Sequence, residues 1–409
     1  MLKILHTADW HLGKRLQEYS RLEEQQLVLQ EIIEIADQQE VDLILLAGDI
    51  FDTFNPSHEA VELLYKALKR LSNDGKRPII AISGNHDSTQ FIAAPDPLTR
   101  ELGIFFYSKY DQEFTTGKLE SGLELIRADK GFMELKLPRF DFPVRIILAP
   151  YANEVLLKQY LGEMDKEVAF RNVLKEKWKN TADNYCDENG VNLFLGHFFF
   201  MKEGEKPQEE PESERPILHV GGTQALFSNL IPAPIQYAAL GHLHRYHSVD
   251  KNPCPVVYSS SPLAYSFSEA NQEKKVVLVE ALPNQPVNYQ SITLSKGRPL
   301  YQKTFTNLPD TLQWLEKNPY CFVEITFETE QSIEAETRRA IMKAHDGIVN
   351  LIPKLTGESA LLNKGLQAQD LSQDMNTLFK RYYQSANGME PNEEIISLFN
   401  EIISQNDPS

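Results

Sequence analysis

An uninterrupted apolar run, VDLILLA at Val41–Ala47, is followed at once by Gly48, Asp49 and Asp52. A strand this apolar is typical of a parallel sheet that is covered on both faces. A carboxylate at the end of such a strand loses its hydration and needs a cation in compensation. The run therefore predicts a doubly covered sheet and a positively charged species beside it.

Strand-like and helix-like segments alternate around this run. A strand is predicted at Leu2–Ala8, and an apolar stripe predicts a helix over Arg21–Glu40. Ser57 is a candidate N-cap of a second helix, and Pro78–Ser83 predicts the next strand. A β-α-β-α-β order predicts parallel strands with functional groups at their carboxyl ends. Further strands are predicted at Val144–Ala149, Asn192–Leu195, Tyr237–Leu240, Pro255–Ser260 and Lys275–Ala281, and a further helix at Lys166–Asn180.

Five of these predicted strands end in carboxylates, an amide or imidazoles, and a glycine precedes four of the five groups. Such a glycine permits a tight turn close to a ligand. The spacing of two in Asp9/His11 and His242/His244 predicts extended segments whose side chains point to one side. Borderline divalent ions such as Mn²⁺, Fe²⁺ and Zn²⁺ accept these ligands. The candidate ligands are Asp9, His11, Asp49, Asn85, His197, His242 and His244.

Seven ligands are too many for one ion and predict two, with Asp49 as the bridge. Each motif alone has an ordinary structural explanation. An Asp-x-His pair occurs by chance, a Gly-Asp turn is often an N-cap, and an isolated His197 would be expected to be a hydrogen-bonded structural histidine. The hypothesis of two metals depends on the joint occurrence of five such turns, each at a predicted strand end.

The composition limits the other classes of protein. The 409 residues suit two or three domains, and 42% hydrophobic with 24% charged residues is typical of a soluble globular protein. We expect no signal peptide and no segment able to span a membrane. Three widely spaced cysteines disfavour a disulfide framework and a thiolate zinc site, and they fit a reducing cytoplasm. The net charge of −17 disfavours nucleic acid as a partner.

The motifs DxH, GDxxD, GNHD, GH and GHxH, in this order, resemble the signature of the calcineurin-like metallophosphoesterases. Longer segments resemble the bacterial SbcD family, the nuclease subunit of the SbcCD complex. These segments are HTADWHLGK (residues 6–14), GDIFDTFNPS (48–57), SGNHDS (83–88), ESERP with the following VGG (212–222) and YAALGHLHR (237–245). The resemblance extends from Met1 to about Ala281 and continues more weakly toward the C-terminus.

The resemblance implies an α/β fold: a metallophosphoesterase β-sandwich with flanking helices, followed by a small α+β capping domain. It also implies how the ligands divide between two metals, with Asp49 shared. One metal would be held by Asp9, His11 and His244, and the other by Asn85, His197 and His242.

The resemblance assigns further roles around the metals. His86 would bind neither metal and would protonate the leaving oxygen of the scissile phosphate. Asp87 would either orient His86 or cap a turn. Archaeal relatives have a histidine where this chain has Asp52, which we interpret as outer support for a ligating imidazole.

Three basic residues near the predicted site are candidate phosphate contacts. Lys14 and Arg15 come shortly after His11, and Arg245 follows the GHLH motif, although a solvated surface position is the default for such residues. Two bound dications would add four positive charges at the site. Much of the acidity lies in the predicted surface loop Glu203–Pro216 and toward the C-terminus, and a partner could supply most of the DNA-binding surface.

We expect three regions: a nuclease domain at 1–283, an α+β capping domain at 284–385 and a C-terminal helical partner-binding segment at 386–409. The last contains Pro391–Ile403, with an acidic start and a broad apolar face. That helix would dock either on its own domain or on a partner, and the resemblance favours the coiled-coil base of an ABC-type ATPase. The capping domain is predicted from Tyr301–Thr306, Pro309–Lys317, Cys321–Glu328 and Ile333–His345.

The predicted function is that of a two-metal, Mn²⁺-dependent DNA phosphodiesterase. The resemblance implies 3′–5′ exonuclease and endonuclease activity on double-strand ends and hairpins, an SbcC-like ATPase as partner, a homodimer, and a cytoplasmic, nucleoid-associated location. The alternative is a free-standing metallophosphatase or cyclic-nucleotide phosphodiesterase. Protein phosphatases carry GDxxDRG, whereas GDIFDTF here has no such arginine. A third hypothesis, a binding protein that anchors the ATPase on DNA ends, does not account for the complete ligand set.

Overall fold

The computed structural model describes residues 1–152, 166–206, 209–212, 225–330 and 332–356, with scattered positions between 377 and 399. The chain divides into two compact units, Met1–Gln302 with Tyr320–Val323, and Lys303–Pro319 with the residues from Glu324 onward. Among the described residues, no helix combines the length and apolar character that crossing a membrane requires. The predicted partner-binding segment at 386–409 lies outside the described residues apart from a few positions.

The first unit contains a six-stranded sheet built around the apolar run. Leu43 and Leu45 lie in the core on one face of this sheet, whereas Ile44 and Leu46 lie in the core on the other. The run has no polar alternation because both faces are covered. The central strands are parallel, as predicted. The order is Asn288–Thr293, Lys275–Ala281, Leu2–Thr7, Leu43–Ala47, Ile79–Ile82 and Ile104–Tyr107.

The second sheet of this unit has eight strands, and four adjacent strands within it are parallel. Its antiparallel edge includes Glu124–Asp129 and Phe132–Lys136, which the sequence analysis did not predict, because charged residues interrupt both segments. The order is His247–Asp250, Val256–Tyr258, Tyr237–Gly241, Val191–His197, Val144–Ala149, Phe132–Lys136, Glu124–Asp129 and Gly117–Lys118.

The two sheets pack face to face. One buried cluster combines Ile4 and Leu45 of the first sheet with Ile146, Leu193 and Ala239 of the second. Alternate residues of each strand point into this cluster, as side chains in a pleated sheet must. The predicted β-sandwich is therefore confirmed.

Helices cover the outer faces of the sandwich. Leu22–Gln38 and His58–Leu71 pack on the first sheet, and Lys166–Tyr185 packs on the second through Leu174 and Trp178. Ser57 is the N-cap of the second helix, as predicted, because its hydroxyl accepts a hydrogen bond from Ala60 N at 3.3 Å. The remaining helices are Thr89–Ala93, Asp96–Glu101, Leu308–Lys317 and Ala335–Ala344.

Asn288–Thr293 pairs with Lys275–Ala281, so the first sheet continues beyond residue 283, where the sequence analysis ended the nuclease domain. A three-stranded sheet follows, in the order Leu300–Phe305, Phe322–Thr329 and Ile348–Leu355. The other short strands are Arg15–Leu16, Tyr19–Ser20, Phe200–Met201 and Leu226–Phe227.

Candidate metal centre

The carboxyl ends of five parallel strands, three in the first sheet and two in the second, bring the candidate ligands together. His11 Nε2 lies 3.0 Å from His244 Nε2, and His197 Nδ1 lies 2.8 Å from the carbonyl oxygen of Ala47. Both contacts join a segment of the first sheet to a segment of the second sheet. Asn85 is partly exposed, whereas the other six candidate ligands are fully buried.

The convergence is as predicted, but the predicted extended backbone is wrong. Asp9 and His11 have φ values of 54° and 42°, and Asp49 has a φ of 48°. His242 also has a positive φ, of 107°. These side chains converge because the chain turns sharply after each strand. A non-glycine residue in this region costs of order 1–3 kcal/mol, and such residues concentrate at functional sites.

Two glycines permit the close approach of backbone to the site. A Cβ on Gly84 would overlap Asp49 Oδ1, and a Cβ on Gly241 would overlap the carbonyl oxygen of Ala47 and crowd His197. The glycines of GNHD and GHLH are thus required by space, which agrees with the turn predicted from the sequence.

Asp49 lies at the middle of the site. One group of potential ligand atoms joins it to Asp9 and His197, and a second joins it to His11 and His86, with all atoms of each group within 4.8 Å of one another. Asp49 Oδ2 is 3.2 Å from His197 Nε2 and 3.6 Å from His11 Nε2. Asp49 is thus the carboxylate common to both groups.

Two further candidate ligands, Asn85 and His197, are in contact with each other. Asn85 Oδ1 lies 2.9 Å from His197 Nε2. The Ala47 carbonyl can only accept a hydrogen bond, so His197 Nδ1 carries the hydrogen. Nε2, beside Asp49 and Asn85, is therefore the nitrogen through which His197 can bind a metal.

The buried charges fit a pair of divalent cations. Within the described part of the chain, Asp9 Oδ2 is buried and has no hydrogen-bond partner. Burial raises the pKa of Asp9 to about 7, against the opposing attraction of His197 and His244. Burial alone would lower the pKa of His197, but the carboxylates of Asp49 and Asp9 raise it to about 10. The site thus attracts positive charge, and its oxygen and nitrogen donors suit borderline divalent metals.

His86 lies beside this cluster with one ring nitrogen already committed. Its backbone N–H donates to Asp49 Oδ1 at 2.9 Å, and its Nδ1 donates to the carbonyl oxygen of Asp52 at 2.8 Å. The centres of the His86 and His11 rings are 4.8 Å apart. Nε2 is therefore the His86 atom that can exchange a proton with a substrate.

Asp87 supports the backbone of the site. Its carboxylate accepts hydrogen bonds from the backbone N–H groups of Ile50, Phe51 and Gly84 at 2.9–3.1 Å. Of the two roles predicted for Asp87, these contacts correspond to capping the turn. Burial, followed by the neighbouring Asp49, raises its pKa to about 6.

The predicted outer residue Asp52 lies between a lysine and an imidazole. Its Oδ1 is 2.6 Å from Lys14 Nζ and 3.7 Å from His11 Nδ1. Lys14 is largely buried in this contact. Arg15 is exposed and donates hydrogen bonds to the carbonyl oxygens of Gln17 and Glu18.

Arg245, the third basic residue predicted near the site, lines a small cavity of about 80 Å³ together with His244 and Glu210. Contact of the three basic residues with phosphate stays a prediction.

Two glutamates that sequence analysis missed contact the histidines of GHLH. Glu210 Oε1 is 2.6 Å from His242 Nε2, and Glu269 Oε1 is 3.2 Å from His244 Nδ1. Although burial acts to raise the pKa of Glu269, the Lys274 ammonium group and His244 hold it well below its usual range. The glutamates are 32 and 25 residues from their histidines, so no local motif connects them.

Comparisons with known proteins agree with this geometry. The family model described as calcineurin-like phosphoesterase matches residues 2–246. The SbcD subunit of nuclease SbcCD from Bacillus subtilis (strain 168) is 32% identical over 411 residues, covering 98% of each chain. The SbcD subunit of nuclease SbcCD from Staphylococcus epidermidis (strain ATCC 12228 / FDA PCI 1200) is 31% identical over 304 residues, covering 73% of this chain and 71% of that one.

The chain therefore belongs to the calcineurin-like phosphoesterase family, the class that both the sandwich and the cluster of ligands at its strand ends define. Within that family it belongs with the SbcD nucleases, and it is a metal-dependent nuclease.

Proposed function

We propose that this protein is a Mn²⁺-dependent DNA phosphodiesterase with exonuclease and endonuclease activity on double-strand ends and hairpins. It acts in the cytoplasm, on the nucleoid, as a homodimeric component of an SbcCD-type complex with an ABC-type ATPase. The observation that carries the proposal is the position of Asp49, which is fully buried and common to two groups of buried imidazole and carboxylate side chains.

Seven residues would hold the two metal ions, with Asp49 between them. When bound, two such ions activate water near neutral pH and offset the charge that develops on the phosphate oxygens. The division of the other six residues follows the family resemblance: Asp9, His11 and His244 at one ion, and Asn85, His197 and His242 at the other.

His86 supplies the proton for the leaving oxygen. The carbonyl oxygen of Asp52 holds its Nδ1–H, which fixes the ring while Nε2 delivers a proton. The contact of its backbone N–H with Asp49 ties the position of the acid to the bridging ligand. The acid and the carboxylate that would be shared by the two ions are therefore held in a fixed relation by one hydrogen bond, as catalysis by positioning requires.

The experiment that tests the proposal compares three substrates. Purified protein with Mn²⁺ is incubated with linear duplex DNA, with hairpin DNA and with a small phosphomonoester, and the same reactions are run with Mg²⁺ and Zn²⁺. We expect Mn²⁺-dependent release of nucleotides from both DNAs. Rapid hydrolysis of the phosphomonoester alone would favour a free-standing phosphatase, and binding of DNA ends without any cleavage would favour an anchoring protein.

A further inference from the structure

The turn Gly241–His244 carries two histidines, one before and one after Leu243 in the sequence. Each imidazole contacts a different glutamate. The Nδ1 atom of His244 lies 3.2 Å from Glu269 Oε1, whereas the Nε2 atom of His242 lies 2.6 Å from Glu210 Oε1. A carboxylate accepts hydrogen bonds, so the contacted nitrogen is the one that carries the hydrogen. The two rings must then use opposite nitrogens, Nε2 in His244 and Nδ1 in His242, to bind a metal.

Glu269 is held by a buried lysine as well as by the histidine. Lys274 Nζ donates to Glu269 Oε2 at 2.6 Å and also to the carbonyl oxygen of His244 at 2.6 Å. Glu269 is 1% exposed and Lys274 is 7% exposed, so neither charge is solvated. The pair thus fixes both the ring and the backbone of His244, while Lys274 neutralises a carboxylate that would otherwise be buried unpaired.

Glu210 reaches His242 from a different part of the chain, the acidic segment that sequence analysis interpreted as a surface loop. Glu210 is partly buried, unlike its neighbour Glu209, which is exposed. Its carboxylate contacts the imidazole of His242, which is fully buried. A solvated surface loop alone does not require such a contact.

We propose that Glu269, together with Lys274, and Glu210 are positioning residues that hold His244 and His242 with opposite ring nitrogens directed at the metal centre. The inference deepens the proposed function and depends on it. Outer carboxylates fix the tautomer of a ligating imidazole and increase its basicity, and their loss typically lowers metal affinity by about 10–100-fold. Each glutamate acts through one histidine, so each affects the binding of one ion.

The competing explanation is purely structural. Glu269 Oε1 also accepts the backbone N–H of Tyr265 at 3.2 Å, so the Glu269–Lys274 pair would then serve only to anchor its own loop. A structural role predicts lower stability with unchanged metal affinity and unchanged tautomers. A positioning role predicts that metal affinity and histidine tautomer both change, even in a variant that folds normally.

The test uses the full chain and Mn²⁺ alone as the probe. The variants are Glu210→Ala and the double change Glu269→Met with Lys274→Met, which removes both charges of the buried pair together. Glu269→Asp is included as the conservative change. The matched controls are Glu209→Ala, one residue from Glu210, and Glu273→Gln, whose side chain is exposed and pairs with Lys275. Electron paramagnetic resonance of unbound Mn²⁺ gives the affinity of each ion, and ¹⁵N NMR of the metal-free protein gives the tautomer of each histidine.

We expect the metal-free parent to show His244 with hydrogen on Nδ1 and His242 with hydrogen on Nε2. Each of the two test variants should lose about 10–100-fold in affinity for one of two Mn²⁺ ions and should change the tautomer of its own histidine only. Glu269→Asp should recover part of the loss, and both controls should match the parent. Parental affinities and tautomers in both folded variants would overturn the inference. A parent that binds no Mn²⁺ would instead overturn the proposed function.

Discussion

At the scale of the residue, His86 is the side chain to which the proposed function assigns the transfer of a proton. Its Nδ1 and its backbone N–H are both hydrogen-bonded inside the site, and in the proposed function its Nε2 would transfer the proton. Asp52 contacts His86 Nδ1 through its backbone carbonyl oxygen at 2.8 Å, and its carboxylate Oδ1 lies 4.0 Å from the same nitrogen.

We therefore expect His86→Ala to bind two Mn²⁺ ions and to cleave DNA about 10²–10⁴-fold more slowly, the range typical for loss of a general acid. Steady-state cleavage of duplex DNA at saturating Mn²⁺ gives the rate. His58→Ala, which changes an exposed histidine at the start of a helix, is the control and should leave cleavage unaltered. A rate equal to that of the parent would remove His86 from the mechanism.

Binding of metal should depend on pH because metal and protons compete for the same atoms. With a pKa of about 10, His197 is protonated at neutral pH and must release one proton. With a pKa of about 7, Asp9 must release a second proton below pH 7. Apparent Mn²⁺ affinity should rise about tenfold per pH unit between 7 and 9 and more steeply below 7.

Calorimetric titration of Mn²⁺ in buffers of different ionisation enthalpy measures the protons released. Release of about one proton at pH 8 and about two at pH 6 is expected from these pKa values. Affinity independent of pH over this range would contradict the assignment of Asp9 and His197 as ligands.

At the scale of elements, the site depends on how closely the turns pack after the strands. Gly241 ends a strand of the second sheet, and its Cα faces the carbonyl oxygen of Ala47 in the first. The two sheets can approach at this point because Gly241 has no side chain directed at the backbone of Ala47.

Gly241→Ala should therefore separate the sheets at the metal centre and abolish binding of at least one Mn²⁺ ion. Electron paramagnetic resonance again gives the stoichiometry, with circular dichroism to confirm folding. Gly117→Ala is the matched control, since Gly117 is also in a strand of the second sheet and a Cβ there would meet nothing within 4 Å. Two ions bound at parental affinity in Gly241→Ala would show that this close approach is not required.

The elements also show what a sequence can reveal. The apolar run Val41–Ala47 predicted a covered parallel strand because its composition leaves no polar face. The convergence of the candidate ligands was predictable because each lies at the end of its strand or within four residues of it. The contacts of Glu210, Glu269 and Lys274 were not predictable, because these residues reach their histidines from distant segments without a fixed spacing. The left-handed turns at Asp9 and His11 were missed because those residue types adopt extended backbone more often.

At the scale of the whole molecule, metal binding and folding are linked. Asp9 and Asp49 are both fully buried in the first unit, and in the metal-free state their charge is offset mainly by histidines. A ligand that binds only the folded state stabilises it by about 2.7 kcal/mol at 100 times its dissociation constant.

Mn²⁺ should accordingly raise the thermal unfolding temperature of the parent, and a chelator should reverse the rise. Differential scanning calorimetry checks both. Asp49→Asn should show almost no response to Mn²⁺, because the shared ligand of both ions has lost its charge. An equal rise in Asp49→Asn and in the parent would mean that the stabilising Mn²⁺ ions bind elsewhere.

The proposed partnership also belongs at this scale. Deleting all residues after Ser385 should leave Mn²⁺-dependent cleavage of short DNA and abolish co-purification with the ATPase, because the apolar face within Pro391–Ile403 would be lost. Co-expression with an affinity tag on the ATPase gives the measurement. Changing only Ser404 and Gln405 to alanine is the control, and retained co-purification of the truncated chain would refute the docking hypothesis.

The strand order has a consequence for synthesis of the chain. Leu2–Thr7 lies between Leu43–Ala47 and Lys275–Ala281, and the last of these is made more than 200 residues after Leu2–Thr7. A growing chain cannot place His242 and His244 until it has passed residue 244, and it cannot pair Leu2–Thr7 on both sides until Lys275–Ala281 has been made. A translation product that stops before these residues would therefore lack part of the metal centre, and the nuclease activity would appear only after the strand Lys275–Ala281 has been made.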